Sequence, residues 1–553
     1  MLTLNNIPCE YREGKTIMEY IRELGLDSDR LTERPLAAMI GGAIYNLDYA
    51  PKFECDIRLS YFKEEVGRRV YEHTLQFVML LAMRKLFPKH RVIVQYAVGE
   101  GIFMHIKGET PFTDENVDQL RSEMRAIANG AHRFLRRRLD IKEALDFYTA
   151  DGQSDKVALL EWRKFNYFDT YSCPTYSGYM DYFYGELTPD SSYVKVFDLH
   201  RLDSALILMM PSREDPSLPA EYAQSPRMLA VFEQTDDWGR LMRAATVNEL
   251  NRRVEDGSIR ELVRINEALH EKNYSRIADE IIKRGAKAIM IAGPSSSGKT
   301  TSANRIATQL RADGLDPVML SLDDYYIDRD KMIPDENGEL DLEHIDALDT
   351  ARFASDLRIL LDGGEAEIPH FNFLTQKRDG YAPLKLKKDQ PLIIEGIHGL
   401  NPVMIKGIAP SDVFRIYVSA LPTMNLDDHN RIHTSDLRLL RRLVRDHASR
   451  GASMEHTLGM WDSVRRGETR WIFPYQENAD RIINTTLHYE LAVMKKYIYP
   501  LLLEVPRESE YYCAVRSIVK FLNYVLEAEI EDEIPPTSVI REFIGGNTFY
   551  RKS

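Results

Sequence analysis

Apolar positions along this chain change their period twice. Up to about residue 62 the apolar runs are short and strand-like: Met1–Leu4, Ala37–Ile40 ahead of Gly41-Gly42, and the alternating Ile57–Phe62. Between them, Thr16–Leu24 places Ile17, Tyr20, Ile21 and Leu24 on one face of a short helix. After about residue 215 the spacing turns helical. Ser258-Ile259-Arg260-Glu261 has the form of a capping box, opening a helix with Leu262, Ile265 and Leu269 in one stripe. That helix either connects two halves or belongs wholly to the second. From Ala286 onward apolar runs alternate with helical stretches, and Ala288–Ala292, Val318–Leu322, Leu392–Ile394, Val413–Val418 and Arg481–Ile483 are the predicted strands. This alternation predicts βαβ units, hence an α/β fold with a parallel sheet covered by helices and ligands beyond the carboxyl ends of its strands.

Length and composition narrow the class. A chain of 553 residues exceeds one core and predicts three or four domains. A formal charge of −13 argues against a general nucleic-acid coat protein. Cys9, Cys55, Cys173 and Cys513 are scattered and form no C-x-x-C pair, which suits a reducing compartment and offers no zinc signature. Glu10, Arg12 and Glu13 stand where a signal peptide needs an apolar core, and the apolar stretch Phe77–Met83 is far too short to cross a bilayer. The expectation is a cytoplasmic protein working away from membranes, as a homo-oligomer.

One segment carries the chemistry. Gly293-Pro294-Ser295-Ser296-Ser297-Gly298-Lys299-Thr300 fits G-x-x-x-x-G-K-[ST], follows a predicted buried strand, and opens a predicted helix with Ile306 and Leu310 at helical spacing. Strand, glycine loop and helix is the arrangement that surrounds a phosphate with backbone N–H groups. Lys299 then reaches the β- and γ-phosphates, and the Thr300 hydroxyl ligates Mg²⁺. The second strand of this half ends in Asp323-Asp324, where a carboxylate can take a proton from a hydroxyl nucleophile or hold Mg²⁺. The third ends in Ile394-Glu395-Gly396, the place of a metal-associated carboxylate. Over Asp436–Arg450, Arg438, Arg441, Arg442 and Arg445 share a helical stripe with Arg450 beyond it, which predicts a cationic phosphate clamp.

These motifs, in order, resemble the uridine kinase and phosphoribulokinase family: Gly293 to Thr301, Leu322-Asp323-Asp324-Tyr325-Tyr326, Ile394-Glu395-Gly396, Leu439 to Asp446, and Asn478-Ala479-Asp480. The resemblance implies ATP and Mg²⁺ as cofactors and Asp323 as general base. It assigns Tyr326 and Glu343 to the acceptor, Thr301 and the P-loop to ATP, Thr300 and Glu395 to the metal, and Arg442, Arg445 and Arg450 to a lid. Ala452 stands where nucleoside kinases often carry another arginine. Phe371 and Gln376 replace the Tyr and His with which pyrimidine nucleoside kinases read the base, and Phe371 and Phe373 can still stack on a flat ring.

The front half resembles parts of threonyl-tRNA synthetases. Residues 1–62 are similar to the TGS domain. Residues 63–215 are similar to the editing-type second additional domain, through His73-Thr74-Leu75-Gln76-Phe77, Leu86-Phe87-Pro88 and Gly99 to Phe103. Of that domain's paired metal-like ligands only His73 and Cys173 remain, the second positions being Phe77 and Ser177. The module is therefore read as a degenerate binding or regulatory part with a tRNA or protein ligand, and a fragment beginning near Gly285 is expected to remain active alone. A connector (216–284), a P-loop kinase domain (285–490) and a C-terminal helical extension (491–553) complete the division. The implied activity is ATP-dependent phosphorylation of a nucleoside 5′-hydroxyl. The alternatives are a kinase of a sugar or other small alcohol, and an ATP-sensing regulatory protein.

Overall fold

The computed structural model describes residues 1–162, 167–176, 178–203, 205–332, 341–372 and 375–550. Ser177 and Phe373, both singled out above, lie outside the described residues. The N-terminal residues form a five-stranded sheet in the order Ile7–Cys9, Leu2–Leu4, Asp56–Ser60, Ala37–Ile40, Ala43–Tyr45. Helix Ile17–Glu23 covers it, started by a reciprocal capping box between Thr16 and Glu19. The strand Ile7–Cys9 escapes sequence reading because Ile7 and Pro8 are exposed at the edge and leave no alternation.

Helix Glu65–Leu86 is buried along most of its length. Its Leu75, Phe77 and Val78 join one core with Leu2, Leu4 and Ile57 of the first sheet and with Met104, Leu206 and Leu208 of a second sheet. That four-stranded sheet runs Asp198–Leu202, Ala205–Met209, Gly101–Lys107, Arg91–Val98. His73 packs in this core beside Phe183, and burial pushes its imidazole down to about 4. Cys173 is a buried free thiol of the same core. Among the described residues no cluster of three or more His, Cys, Asp or Glu could hold a metal ion, and no helix is long and apolar enough to cross a membrane.

Helix α1 (Ile259–Arg284) does not start with the expected capping box. The Ser258 N–H donates to Asp256 at 2.8 Å, and the Ser258 hydroxyl accepts from Arg253 at 3.3 Å, so it is not free to cap. The helix is shared. Its Ile259, Leu262 and Val263 pack with Val247 and Leu250, whereas Tyr274, Ile277 and Ile281 pack against the P-loop helix through Ile306 and Leu310.

All five predicted strands of the second half form: β1 (Ala288–Ala292), β2 (Val318–Ser321), β3 (Leu392–Glu395), β4 (Val413–Ser419) and β5 (Arg481–Asn484). They pair in parallel in the order β2-β3-β1-β4-β5. β1 is wholly buried, which explains its unbroken apolar run. Helix α2 (Lys299–Ala312) covers one face with α1, and Thr350–Leu361 covers the other through Phe353 and Leu357. An antiparallel hairpin, Glu365–Asn372 with Lys377–Lys385, stands beside β2. Helices α3 (Thr434–Arg450) and α4 (Met454–Trp471) lie between β4 and β5.

The two halves are not separable. Lys156 is fully buried, and its ammonium reaches Asp427 of the kinase half at 2.7 Å and Asp181 at 3.1 Å. His429 pairs with Asp181 at 2.7 Å. The Val94 N–H donates to the Asp428 carbonyl at 2.7 Å, and Asn425 Nδ2 donates to the Val94 carbonyl at 2.6 Å. Phe168 and Tyr182 share a core with Leu426, Leu440 and Tyr524. Cutting near Gly285 would strip this apolar cover and leave Asp427 without its cation, which argues against the expectation that such a fragment stays active.

Candidate active site

The turn after β1 is built to expose backbone donors. A Cβ on Gly293 would lie 1.9 Å from the Val418 carbonyl, so only glycine fits against β4. Ser296 and Gly298 adopt positive φ, +58° and +85°, which curls the loop around its own N–H groups before α2 begins at Lys299. The Lys299 ammonium donates to the Pro294 carbonyl at 3.2 Å. The hydroxyls of Ser296 and Ser297 are buried without partners among the described residues. Thr485, just past β5, fixes the loop by donating to the Ser297 carbonyl at 2.6 Å.

Three carboxylates converge on Lys299. Asp323 lies in the turn Leu322–Tyr325 after β2, with its N–H donating to the Ser321 hydroxyl at 3.3 Å. Desolvation raises its carboxyl, opposed chiefly by Lys299. Glu395 ends β3, accepts from the Ser321 hydroxyl at 3.2 Å, and is pushed up to about 7 by burial and then by Asp323. Glu343 is likewise pushed up to about 7 by burial and then by Glu468, with Lys299 and Arg442 opposing. Its Oε2 is buried with no hydrogen-bond partner among the described residues. Even with Lys299, with Arg442 acting on Glu343 and with Arg450 acting on Asp323, burial holds these carboxyls above their ordinary values, and a divalent cation beside the loop would relieve that. The Thr300 side chain, at the first turn of α2, is on the right element to share that cation, so the residues present fit Mg²⁺ with a nucleotide phosphate.

The arginine stripe divides in two. Arg438 and Arg441 are fully buried and structural, which corrects the expectation of a five-arginine clamp. Arg438 forks onto Glu468 and donates to the Ser295 carbonyl at 3.1 Å. Arg441 holds Glu490 at 2.7 Å and the Thr485 carbonyl at 2.8 Å. Arg442, Arg445 and Arg450 instead gather around one carboxylate, Asp446. Arg442 also donates to the Ser295 hydroxyl at 2.8 Å, which puts it on the P-loop, and Arg450 acts electrostatically on Asp323. Five arginines at helical spacing look alike in sequence; what separates them is which acids α4 and the helix Glu490–Leu503 bring to the buried side.

On the acceptor side Tyr326 donates to the Leu342 carbonyl at 3.0 Å and packs against Phe371 with ring centroids 5.6 Å apart. Asp324 turns away from Lys299 and accepts the Phe371 N–H at 3.3 Å, fixing the hairpin. Gln376 sits at the hairpin turn with φ +56°, and its side-chain carbonyl is taken by Arg329. It is thus anchored at the hairpin tip, away from the lysine–carboxylate cluster. The Thr301 hydroxyl, expected to serve ATP, is fully buried and donates to Glu542 at 2.6 Å. That donor is spent inside the fold, which corrects its side-chain role.

Several residues that shape the site escaped sequence reasoning. Glu468 accepts the Ser295 N–H at 3.1 Å from within α4, and Gly467 admits Glu343, whose Cβ would lie 2.3 Å from a Cβ there. Arg378 ties the hairpin to the acceptor loop through the Tyr325 and Tyr326 carbonyls at 3.0 and 2.9 Å. In sequence Glu468 is one charge among many on a helix. Glu542 lies far beyond the motif it touches, so no spacing signals it.

A phosphate-cradling loop, a facing carboxylate and an arginine helix on a five-stranded parallel sheet define a P-loop phosphotransferase. The family model of the phosphoribulokinase / uridine kinase family matches residues 288–491. A uridine kinase of Staphylococcus aureus is 33% identical over 196 residues, which cover 35% of this chain and 86% of that protein. The chain belongs to the phosphoribulokinase / uridine kinase family. A threonine–tRNA ligase of Symbiobacterium thermophilum is 28% identical over 190 residues, matching the N-terminal half and covering 34% of this chain. The chain spans only 28% of that ligase's length. A solved structure described as a possible uridine kinase from Bacillus stearothermophilus is 18% identical, covers 38% of this chain and 98% of its own, and has a TM-score of 0.24.

Proposed function

We propose that this P-loop kinase transfers the γ-phosphoryl group of ATP to the primary hydroxyl of a nucleoside. The observation that carries the reading is the placement of Asp323, which shares electrostatic contact with Lys299 and Arg450 and is kept from easy ionisation by burial. A carboxyl so held suits a general base that orients the acceptor hydroxyl and takes its proton. Lys299 and the P-loop N–H groups hold the phosphates, and Arg442, Arg445 and Arg450 neutralise charge as it shifts across the transferred group. Thr300 and Glu395 would hold Mg²⁺, which when bound supplies charge neutralisation at the phosphates.

Glu343 is the acceptor-side carboxylate for ribose hydroxyls, with Tyr326 and Phe371 forming an aromatic wall for a flat base. Phe371 offers no hydroxyl and Gln376 spends its carbonyl on Arg329, so the base is read weakly. That same observation favours, second, a small polyol acceptor without a base. The front half, kin to threonine–tRNA ligases, is proposed to bind tRNA or a protein. Measuring kcat/KM for uridine, cytidine, adenosine, guanosine, ribose and no acceptor tests the reading. Nucleosides should be preferred over ribose with less than about 200-fold spread among bases. Hydrolysis without any acceptor dependence would overturn it.

A further inference from the structure

Between the front half and the kinase half lies a cavity of about 200 Å³, separate from the Lys299 cluster. Helix Glu65–Leu86 supplies Arg68 and Arg69, the segment after the second sheet supplies Arg213, and the kinase half supplies Arg431 and Arg465. Their counter-charges are unevenly shared. Arg69 is paired with Asp436 and Glu65, Arg431 with Glu72 at 2.9 Å, and Arg465 with Glu468 at 2.9 Å. Among the described residues the ion pairs of Arg68 and Arg213 are both with Glu100, in the turn between Arg91–Val98 and Gly101–Lys107, at nitrogen–oxygen distances of 3.5 and 3.9 Å that are too long for good hydrogen bonds; Glu72 and Glu65 act on Arg68 from further off, and its guanidinium lies 5.0 Å over the Phe62 ring.

Arg68 is the informative residue. It is only 8% exposed, and its Nη1 has no hydrogen-bond partner among the described residues. Burial and the neighbouring Arg213 push its guanidinium down to about 10. A buried guanidinium with unused donors is costly unless an anion completes it. The lining also includes the apolar side chains of Met210, Met228 and Phe232. Since a water molecule takes about 30 Å³ of liquid, the cavity holds several waters' worth of volume, enough for a tetrahedral anion plus a few carbon atoms.

We infer that this interdomain cavity is a binding site for a small phosphate monoester, its phosphate held by Arg68 and Arg213 and its organic body against Met210, Met228 and Phe232. A phosphate dianion accepts forked guanidinium donors from two directions, which a single carboxylate such as Glu100 does only partly. The inference is independent of the acceptor assigned to the kinase.

The test is calorimetric titration of the full chain saturated with Mg²⁺ and a non-hydrolysable ATP analogue, so that the P-loop is filled. Glycerol phosphate, inorganic phosphate and glycerol are the three probes. One equivalent of glycerol phosphate should bind, glycerol should not, and Arg68→Gln and Arg213→Gln should each weaken binding about ten- to a hundredfold, the worth of one charge-assisted hydrogen bond. Inorganic phosphate binding as tightly as the ester would support the anion site and assign it to the free ion. No binding of either phosphate, or binding that both variants leave unchanged, overturns the inference. Arg213 is at the exposed mouth, so its variant decides the matter if Arg68→Gln does not fold.

Discussion

Replacing Lys156 by Met should destabilise the whole chain rather than the front half alone. The ammonium is fully buried and makes contacts of 2.7 Å to Asp427 and 3.1 Å to Asp181. Removing one partner of a buried pair costs about 3–5 kcal/mol because the opposite charge is left uncompensated. Here two carboxylates are affected unequally. Asp181 keeps His429 at 2.7 Å. Asp427 keeps the N–H groups of His429 and Asn430, at 2.9 and 3.0 Å, the Asn430 amide, and the electrostatic influence of the His429 ring. The loss should therefore fall near the lower bound, about 3 kcal/mol. Burial already raises the Asp427 carboxyl, so in the variant protonation limits the damage and the deficit shrinks as pH falls. Urea unfolding followed by tryptophan fluorescence reads this directly, since Trp162 and Trp238 precede the P-loop and Trp461 and Trp471 follow it. All should shift together. A loss below about 1 kcal/mol, the worth of an exposed pair, or a front-half transition that moves alone, would refute a joint core.

The arginine stripe should behave as two sets: Arg438→Met should cost about 3 kcal/mol, the lower end for a broken buried pair because Glu468 keeps Arg465 at 2.9 Å, whereas Arg445→Ala should leave the unfolding midpoint nearly unchanged and lower kcat at least a hundredfold. Urea midpoints beside steady-state rates separate the two. Glu343 and Glu395, pushed up to about 7 from an ordinary 4.5, hold protons in the folded chain that the unfolded chain has released. Their contribution to stability is thus present at low pH and lost as pH rises through about 7, while metal–nucleotide binding strengthens over the same interval. Unfolding and Mg–ATP titrations from pH 5 to 8, flattened in Glu343→Gln and Glu395→Gln, check both signs. Glu542→Gln, which removes a carboxylate from the Thr301 hydroxyl, should tighten ATP binding about tenfold, as expected for one like charge withdrawn from near the phosphates. Unchanged affinity by equilibrium dialysis would place Glu542 outside the nucleotide's field.

What the sequence made legible follows from how each signal is encoded. The five parallel strands are short, mainly apolar runs between helical stretches, and the P-loop is a contiguous pattern whose glycines meet local steric demands at Gly293 and Gly298, so both could be read before folding. Asp323 and Glu395 were readable because strand ends in parallel sheets face the ligand side. Arg438 and Arg441 were misread because helical periodicity tells which residues share a face and not what covers it; α4 and the helix Glu490–Leu503 cover theirs with Glu468 and Glu490. The hairpin Glu365–Lys385 was missed because its second strand is largely exposed and contains Gly380 and Pro383. The bond between Thr301 and Glu542, and the joint around Lys156, link positions hundreds of residues apart and leave no mark in local pattern.

The central claim is phosphoryl transfer to an alcohol with Asp323 as the base. Phosphorus NMR of ATP with uridine and Mg²⁺, run on the wild-type chain and on Asp323→Asn, tests it most directly. The wild type should convert ATP to ADP and form a nucleoside monophosphate resonance in equal amount. Asp323→Asn should bind ATP normally while forming that product about 10² to 10⁴ times more slowly. ADP and inorganic phosphate appearing with no phosphorylated acceptor, or an Asp323→Asn rate equal to wild type, would contradict the account.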